Sequence, residues 1–345
     1  MALLFCDGFD SGGVEGDLLV ASGVTGWKTI DDIAVFSGSV RAGGSGTSIG
    51  LISSSDNLVC DVVETPQTII VGVAFIFTGL SATNNTPFVL IGESGSSHLY
   101  VAVNPDGGLD VFVNGVNNDA DCAFVSLNVW YYLEIELYVH QTLGTYEVQL
   151  NGTIISEEIT GMDTQRGSNA WSDFVKINGP VGGSAYFDDF YVLDNSTSYN
   201  NSILGAPFVQ HLPVNADGAT TDFTSGGGAN YTNVDETDPD EATTENSGST
   251  ITDKDLYGHA ALTGTVNTVY AVMQVAMVMK SDAAARTIQF RMDDSVNAEA
   301  GDAGGHALPT VYALMTSVWD RNTDGTTAWT ETTVNAIEAG IEIDG

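Results

Sequence analysis

The chain has 345 residues, enough for two domains, with 43% hydrophobic and only 16% charged residues, so it can build packed cores and is not a disordered polymer. Nine Lys/Arg face 45 Asp/Glu, and both halves share the excess: residues 1–200 hold four against 24, residues 201–345 five against 21. A net charge of −36 leaves no basic patch to neutralise phosphates, which excludes nucleic acid as a direct partner and argues against an anionic membrane surface.

Thirty-nine glycines against eight prolines, with many Val, Ile, Thr and Tyr, point to an all-β protein rich in turns. Residues 70–78 and 87–92 read as buried strands. Residues 98–103 and 109–113 flank the turn cluster Asn104-Pro-Asp-Gly-Gly108 and read as a hairpin, and Asn114-Gly115 is a second hairpin signal. In Trp130-Tyr-Tyr-Leu-Glu-Ile-Glu-Leu-Tyr-Val-His140, Leu133, Ile135, Leu137 and Val139 fall on one face. Trp130, Tyr132, Glu134, Glu136, Tyr138 and His140 fall on the other. Strands follow at Tyr146–Gly152, Phe174–Ile177 and Ala185–Asp194, giving roughly ten to twelve before residue 195, the pattern of an antiparallel sandwich or jelly roll.

Residues 196–205 are small and polar and read as a linker between a domain at 1–195 and a second at 206–345. A strand at Pro207–Val214 opens the second domain, and the polar stretch 215–250 reads as loosely packed loop. Strands resume at 257–262, 265–279, 286–292 and 311–319. A short helix over Trp329–Gly340, capped by Thr330, begun with Glu331 and stopped by Gly340, precedes a last strand at Ile341. The expected architecture is a jelly-roll sandwich followed by a smaller β-sandwich with one short C-terminal helix.

Three features carry a resemblance: Leu133-Glu-Ile-Glu-Leu after an aromatic cluster, Tyr146-Glu-Val-Gln-Leu-Asn-Gly152, and Ala185-Tyr-Phe-Asp-Asp-Phe-Tyr-Val192. They resemble the last strands of concanavalin A-like (laminin-G-like) jelly rolls over residues 1–195. Phe5-Cys-Asp-Gly-Phe-Asp-Ser11 fits that fold's first strand, which pairs near the last. Leu212 through Thr221, Asn233 through Glu236 and Trp329 through Gly340 resemble a β domain that follows such lectin-like domains in tailed-bacteriophage virion proteins. The resemblance implies a virion structural protein, made in the host cytoplasm and carried on the particle surface. Other virion proteins are its implied partners, and particle symmetry points to a homo-oligomer, a trimer being the expected form.

Glycosidases of this fold carry Glu-x-Asp-x-x-Glu on one strand face. Here Glu134-Ile-Glu-Leu-Tyr-Val lacks the third acid, so no catalytic residue is assigned and the chain reads as a non-enzyme. Trp130, Tyr132, Glu134, Glu136 and Tyr138 instead make a candidate glycan surface: rings stack on sugars, and carboxylates accept from hydroxyls. Packing between sheets or subunits is the competing account of the same residues. Asp7, Asp10, Asp188 and Asp189, on the first and last strands, are candidate Ca²⁺ ligands, with turn capping as the competing account. Asp235, Glu236, Asp238, Asp240 and Glu241 read as a solvated loop, and no other cofactor is implied. Cys6, Cys60 and Cys122 have neither disulfide-framework nor zinc spacing and read as small hydrophobes. No run of 18 apolar residues exists, so no membrane insertion is expected. The functional expectation is a tail or baseplate appendage or fibre touching host-surface polysaccharide. The alternatives are a capsid decoration or head-fibre protein with a structural role and, more weakly, an inactive glycosidase-like protein.

Overall fold

The computed structural model describes residues 2–10, 25–31, 34–37, 40–41, 46–80, 85–236 and 241–345. The chain is all-β: a jelly-roll sandwich followed by a smaller β-sandwich, in two compact units that divide between Gln210 and His211. Asp238 and Asp240 lie outside the described residues.

In chain order the strands of the first unit are β1 (Leu3–Asp7), β2 (Gly26–Asp31), β3 (Ala34–Ser37), β4 (Ser48–Leu51), β5 (Asn57–Asp61), β6 (Thr68–Phe77), β7 (Thr86–Glu93), β8 (Ser96–Val103), β9 (Gly108–Val113), β10 (Val116–Phe124), β11 (Tyr131–Tyr138), β12 (Gly144–Leu150), β13 (Thr153–Met162), β14 (Phe174–Asn178) and β15 (Ala185–Asp194). They form two sheets. The first runs β13-β12-β11-β6-β15-β4-β3, with β1 also paired to β15, and the second runs β10-β9-β8-β7-β14-β5-β2. The first strand thus pairs with the last, as the jelly-roll reading requires. Asn114 and Gly115 both take positive φ, 49° and 77°, the turn that Asn-Gly favours, and link β9 to β10.

Alternation decides which side chains enter the core. In the second sheet, Val113, Leu99, Ile91, Val175, Cys60 and Trp27 stand side by side across six strands. Every one of them is 0% exposed. They meet the inward residues of the first sheet, among them Val71, Val73, Phe75, Leu133, Ile135 and Leu137. Trp27 is gripped by Phe5, Phe9 and Phe190 at ring-centroid distances of 5.7, 5.8 and 4.7 Å. The three cysteines are free thiols, Cys60 buried and Cys6 and Cys122 half-buried.

In the second unit β16 (Val214–Thr221), β17 (Thr224–Ser225), β18 (Asn246–Ser247), β19 (Lys254–His259), β20 (Val272–Val278), β21 (Thr287–Asp293), β22 (Ala300–Gly301), β23 (His306–Ala307), β24 (Ala313–Trp319) and β25 (Glu338–Ile343) make a six-stranded sheet and two two-stranded ones. Two apolar clusters hold these layers, one around Met292, Trp329 and Ile337, the other around Ile288, Phe290 and Met315. Helix α1 (Glu331–Val334) is capped by Thr330 as read from the sequence, but it lasts one turn. Gly340 does not stop it. That glycine sits mid-strand in β25, where a Cβ would lie 1.9 Å from the Asp255 carbonyl oxygen of the neighbouring strand. The expected strand at Pro207–Val214 does not form before Val214: Pro207 and Pro213 have no N–H for a ladder, and the Val209 N–H goes to Asp189 Oδ1 at 2.7 Å. The described part of the stretch 215–250 is not loosely packed either, because a buried polar network ties Phe223, Asn230, Asn233 and Asn246 down. No helix is long and apolar enough to cross a membrane among the described residues.

Candidate functional site

The structure changes the picture of the β11 face. Glu134, Gly72 and Tyr191 stand abreast on β11, β6 and β15. A Cβ at Gly72 would lie 2.1 Å from the Tyr191 ring, so the missing side chain lets that ring lie flat across β6. The Tyr191 hydroxyl then reaches Glu134 Oε1 at 2.6 Å, and the Gly205 N–H donates to the same oxygen at 2.8 Å. Glu134 is 0% exposed, and its other carboxylate oxygen has no hydrogen-bond partner. Gly72→Ala is expected to lower stability by about 1–3 kcal/mol through overpacking, read as a shift of the denaturation midpoint at unchanged slope; an unaltered midpoint would show that Tyr191 is free to move.

Tyr132, 2% exposed, donates from its hydroxyl to the Asp189 carbonyl at 2.8 Å. Burial pushes its phenol well above the usual range. The Arg41 guanidinium lies between two rings, 4.7 Å from the Tyr132 centroid and 3.9 Å from that of Phe208. It pairs with Asp189 at 2.9 Å and donates to the Pro207 carbonyl. Residues 205–209 are thus bonded onto the outward face of the first sheet and cover Tyr132 and Glu134. Neither is a residue of an open glycan surface, and Glu134 is not on a solvated sheet face.

Glu136 and Tyr138, farther along β11, are half-buried. Burial raises the Glu136 carboxyl, and the charge of Glu147 opposite raises it further. Glu157 continues that row on β13, so this face carries a line of glutamates. Trp130, at the other end, lines a hollow of about 220 Å³ together with Arg41, Tyr131, Tyr132, Asn151 and Gly205. The five predicted residues therefore do not form one surface: Trp130 and Tyr132 meet at this hollow, Glu134 is covered, and Glu136 and Tyr138 lie farther along the strand.

The four aspartates do not make a calcium site. Asp7 accepts from Trp27 Nε1 and the Phe9 N–H, both at 2.7 Å. Asp10 accepts from the Thr47 N–H at 2.9 Å, and Asp189 is neutralised by Arg41. Asp188 accepts from the Asp189 N–H at 2.8 Å. Among the described residues, no group of three or more His, Cys, Asp or Glu side chains could hold a metal ion.

The second sheet presents the open face. Asn117, Phe112, Tyr100, Leu90, Lys176, Val59 and Thr29 form one continuous row across all seven strands. None of these seven is buried, whereas their inward neighbours are 0% exposed. Tyr100 and Phe112 stack nearly parallel, 4.5 Å apart at an interplanar angle of 11°. Burial pushes the Tyr100 phenol up, and the nearby Arg166 guanidinium pulls it part of the way back. That guanidinium lies against Gly115, where a Cβ would sit 1.4 Å from Nη1. At the far side Lys28, at a bulge in β2, is lowered by burial and raised by the charge of Asp61. The Arg166 N–H donates to His98 Nδ1 at 3.0 Å, and His98 Nε2 faces the Trp171 carbonyl at 2.9 Å, so this ring is fixed as a neutral structural group. Sequence reasoning passed over this face, although Tyr100 and Phe112 stand symmetrically about Asp106 in a hairpin it had recognised.

No protein-family model matches the sequence, and no curated protein matches it. Solved structures do resemble it in fold. The endo-β-1,4-glucuronan lyase of Trichoderma reesei is 11% identical, with a TM-score of 0.38 over 55% of this chain and 94% of its own. Domain 4 of a GH43 extracellular arabinanase from Geobacillus stearothermophilus, solved with arabinotriose, is 14% identical, with a TM-score of 0.38 over 56% of this chain and 92% of its own. The sialidase of Trypanosoma rangeli is 11% identical, with a TM-score of 0.36 over 50% of this chain and 31% of its own. The reading of the chain as a non-enzyme is corrected by these neighbours, which are carbohydrate-active proteins: a missing glycosidase motif on β11 is no ground for excluding activity. The likeness is of fold and assigns no reaction.

Proposed function

We propose that this chain is a structural component of a tailed-phage virion, an appendage or fibre whose first unit contacts host-surface glycan. The observation that supports the reading best is the open row of the second sheet. The Tyr100 and Phe112 rings, half-buried and stacked on one another, offer apolar ring surface against which a sugar can pack. Lys176 and Asn117 in the same row supply donors beside it. A sheet-wide row suits an extended chain of sugars, each held weakly, with copies on a particle multiplying the affinity.

The test is binding of the purified full chain to host cells and to their isolated surface polysaccharide. Tyr100→Ala and Phe112→Ala should each weaken binding by roughly tenfold, the scale of one lost aromatic contact. Equal binding by both variants would remove the ring pair from the site. Immunogold labelling of particles tests the virion assignment: gold at the tail tip or baseplate supports it as stated.

A second reading, capsid decoration or head fibre, is favoured by the sandwich edges. Val116 (62% exposed) and Phe124 (60%) on β10, and Ile154 (47%) and Ile159 (73%) on β13, put apolar side chains on strands at the ends of their sheets. Such edges suit contact with another protein of a particle or with a second copy. Gold spread over the capsid would favour this reading, and particles without gold would overturn both.

A further inference from the structure

Charge on the first unit is distributed unevenly. Up to Gln210 the chain has four cations: Lys28, Arg41, Arg166 and Lys176. Arg41 is consumed in the buried pair with Asp189 on the first sheet. The other three all lie on or beside the open row of the second sheet. The outward face of the first sheet carries the opposite charge, with Glu136, Glu147 and Glu157 in line.

Balancing neighbouring acids accounts for Lys28, which faces Asp61. It does not account for the other two. Among the described residues neither Lys176 nor Arg166 is in an ion pair, although the chain has five acids for every base. Nor does the Asp110 carboxylate on β9 face them unmet: it accepts from Asn85, Asn104, Asn117 and the Asp121 N–H, at 2.9, 2.9, 3.2 and 2.8 Å.

Resting on the glycan reading above, we infer that the ligand of this face is an acidic polysaccharide with about one anionic group per disaccharide. Lys176 on β14 stands in the row itself, two strands from β2, which carries Lys28, and the Arg166 guanidinium lies toward the other end, against Gly115 at the β9–β10 turn. At about 4.8 Å between strands, Lys28 and Lys176 fall about 10 Å apart along the row. That matches the spacing of alternate sugars in an extended polysaccharide lying across the strands. Leu90, Tyr100 and Phe112 fill the intervals with apolar surface for the uncharged sugars. Arg166 offers the planar fork suited to a carboxylate, and Lys176 a point charge.

The experiment compares hyaluronan, which has one carboxylate per disaccharide, with the same polymer after its carboxyls are reduced to alcohols, each titrated into the full-length protein. The acidic form should bind more tightly by roughly tenfold or more, the scale of charge-assisted hydrogen bonds. In the double variant Lys176→Gln, Arg166→Gln the preference should fall to about one, whereas Lys280→Gln in the second unit should leave it unchanged. Equal binding of both polymers by the unmutated chain would overturn the acidic assignment while leaving the glycan face in place. Binding of neither would overturn the face as well.

Discussion

Asp255→Ala should melt the second unit's transition early, at a cost of about 3–5 kcal/mol, because three donors lose a buried acceptor together. Asp255 is 0% exposed and accepts from the Phe223 N–H at 2.8 Å, Asn230 Nδ2 at 2.6 Å and the Tyr257 hydroxyl at 2.8 Å. The Tyr257 oxygen in turn accepts from Asn246 Nδ2 at 2.8 Å, and Asn246 Oδ1 accepts from Asn233 Nδ2 at 2.8 Å. One carboxylate and its partners therefore tie Phe223, Asn230 and, through Tyr257, Asn246 onto β19. Asp255→Asn keeps the shape and one acceptor oxygen, so it should cost less than Ala. Calorimetry gives the transition, and limited proteolysis within residues 223–246 should accelerate in the Ala variant. An unchanged transition with unchanged cleavage would mean that the network contributes nothing net.

This network also marks where sequence reasoning stops. The segment is polar, and polarity reads as loop. Its order comes from a relay of side-chain amides, Asn233 to Asn246, Asn246 to the Asn230 carbonyl and Asn230 to the buried Asp255, a relation with no period to detect. Strands behaved differently. Thr68–Phe77, Ala185–Asp194 and the hairpin about Asp106 were legible because apolar runs and turn residues are local signals.

The β11 face shows the limit most plainly. Period-2 alternation placed Tyr132 and Glu134 on the outward side of the sheet, and they are there. Alternation carries no information about what lies over that side. Residues 205–209 read as connector and second-domain strand, yet Gly205 bonds to Glu134, and Phe208 packs on Arg41. The open face of the second sheet was within reach by the same rule. A hairpin centred on Asp106 pairs Leu99 with Val113 and Tyr100 with Phe112, and the alternation that buries the first pair exposes the second. Lys176, between the inward Val175 and Ile177, then falls on the same side.

The largest pH effect is expected from Asp188, which is 3% exposed at the bulge of β15. Burial raises its carboxyl to about 8, with the charge of neighbouring Asp189 adding to the shift. Burial also raises Asp189 and Asp7 to about 6 each, against the opposing pull of Arg41 on the first and of the Phe9 N–H on the second. A carboxyl whose folded pKa exceeds its unfolded value of 3.8 binds protons more tightly in the native state, so stability is greatest at low pH and falls as the pH rises through the window from 3.8 to about 8. His98 works in the other direction: held neutral by burial, it loses stability as the pH falls below 6.5. Between 6.5 and 8 His98 is silent and Asp188 governs the slope. The first unit should therefore lose thermal stability across that interval. Asp188→Asn, which keeps an oxygen to accept the Asp189 N–H, should flatten the loss and raise Tm at pH 8 by about 5 °C or more. Melting curves at half-unit steps check both. A wild-type Tm that climbs over the interval, or an Asn variant less stable than wild type at its upper end, would mean that the ionised carboxylate is a favourable partner of Arg41.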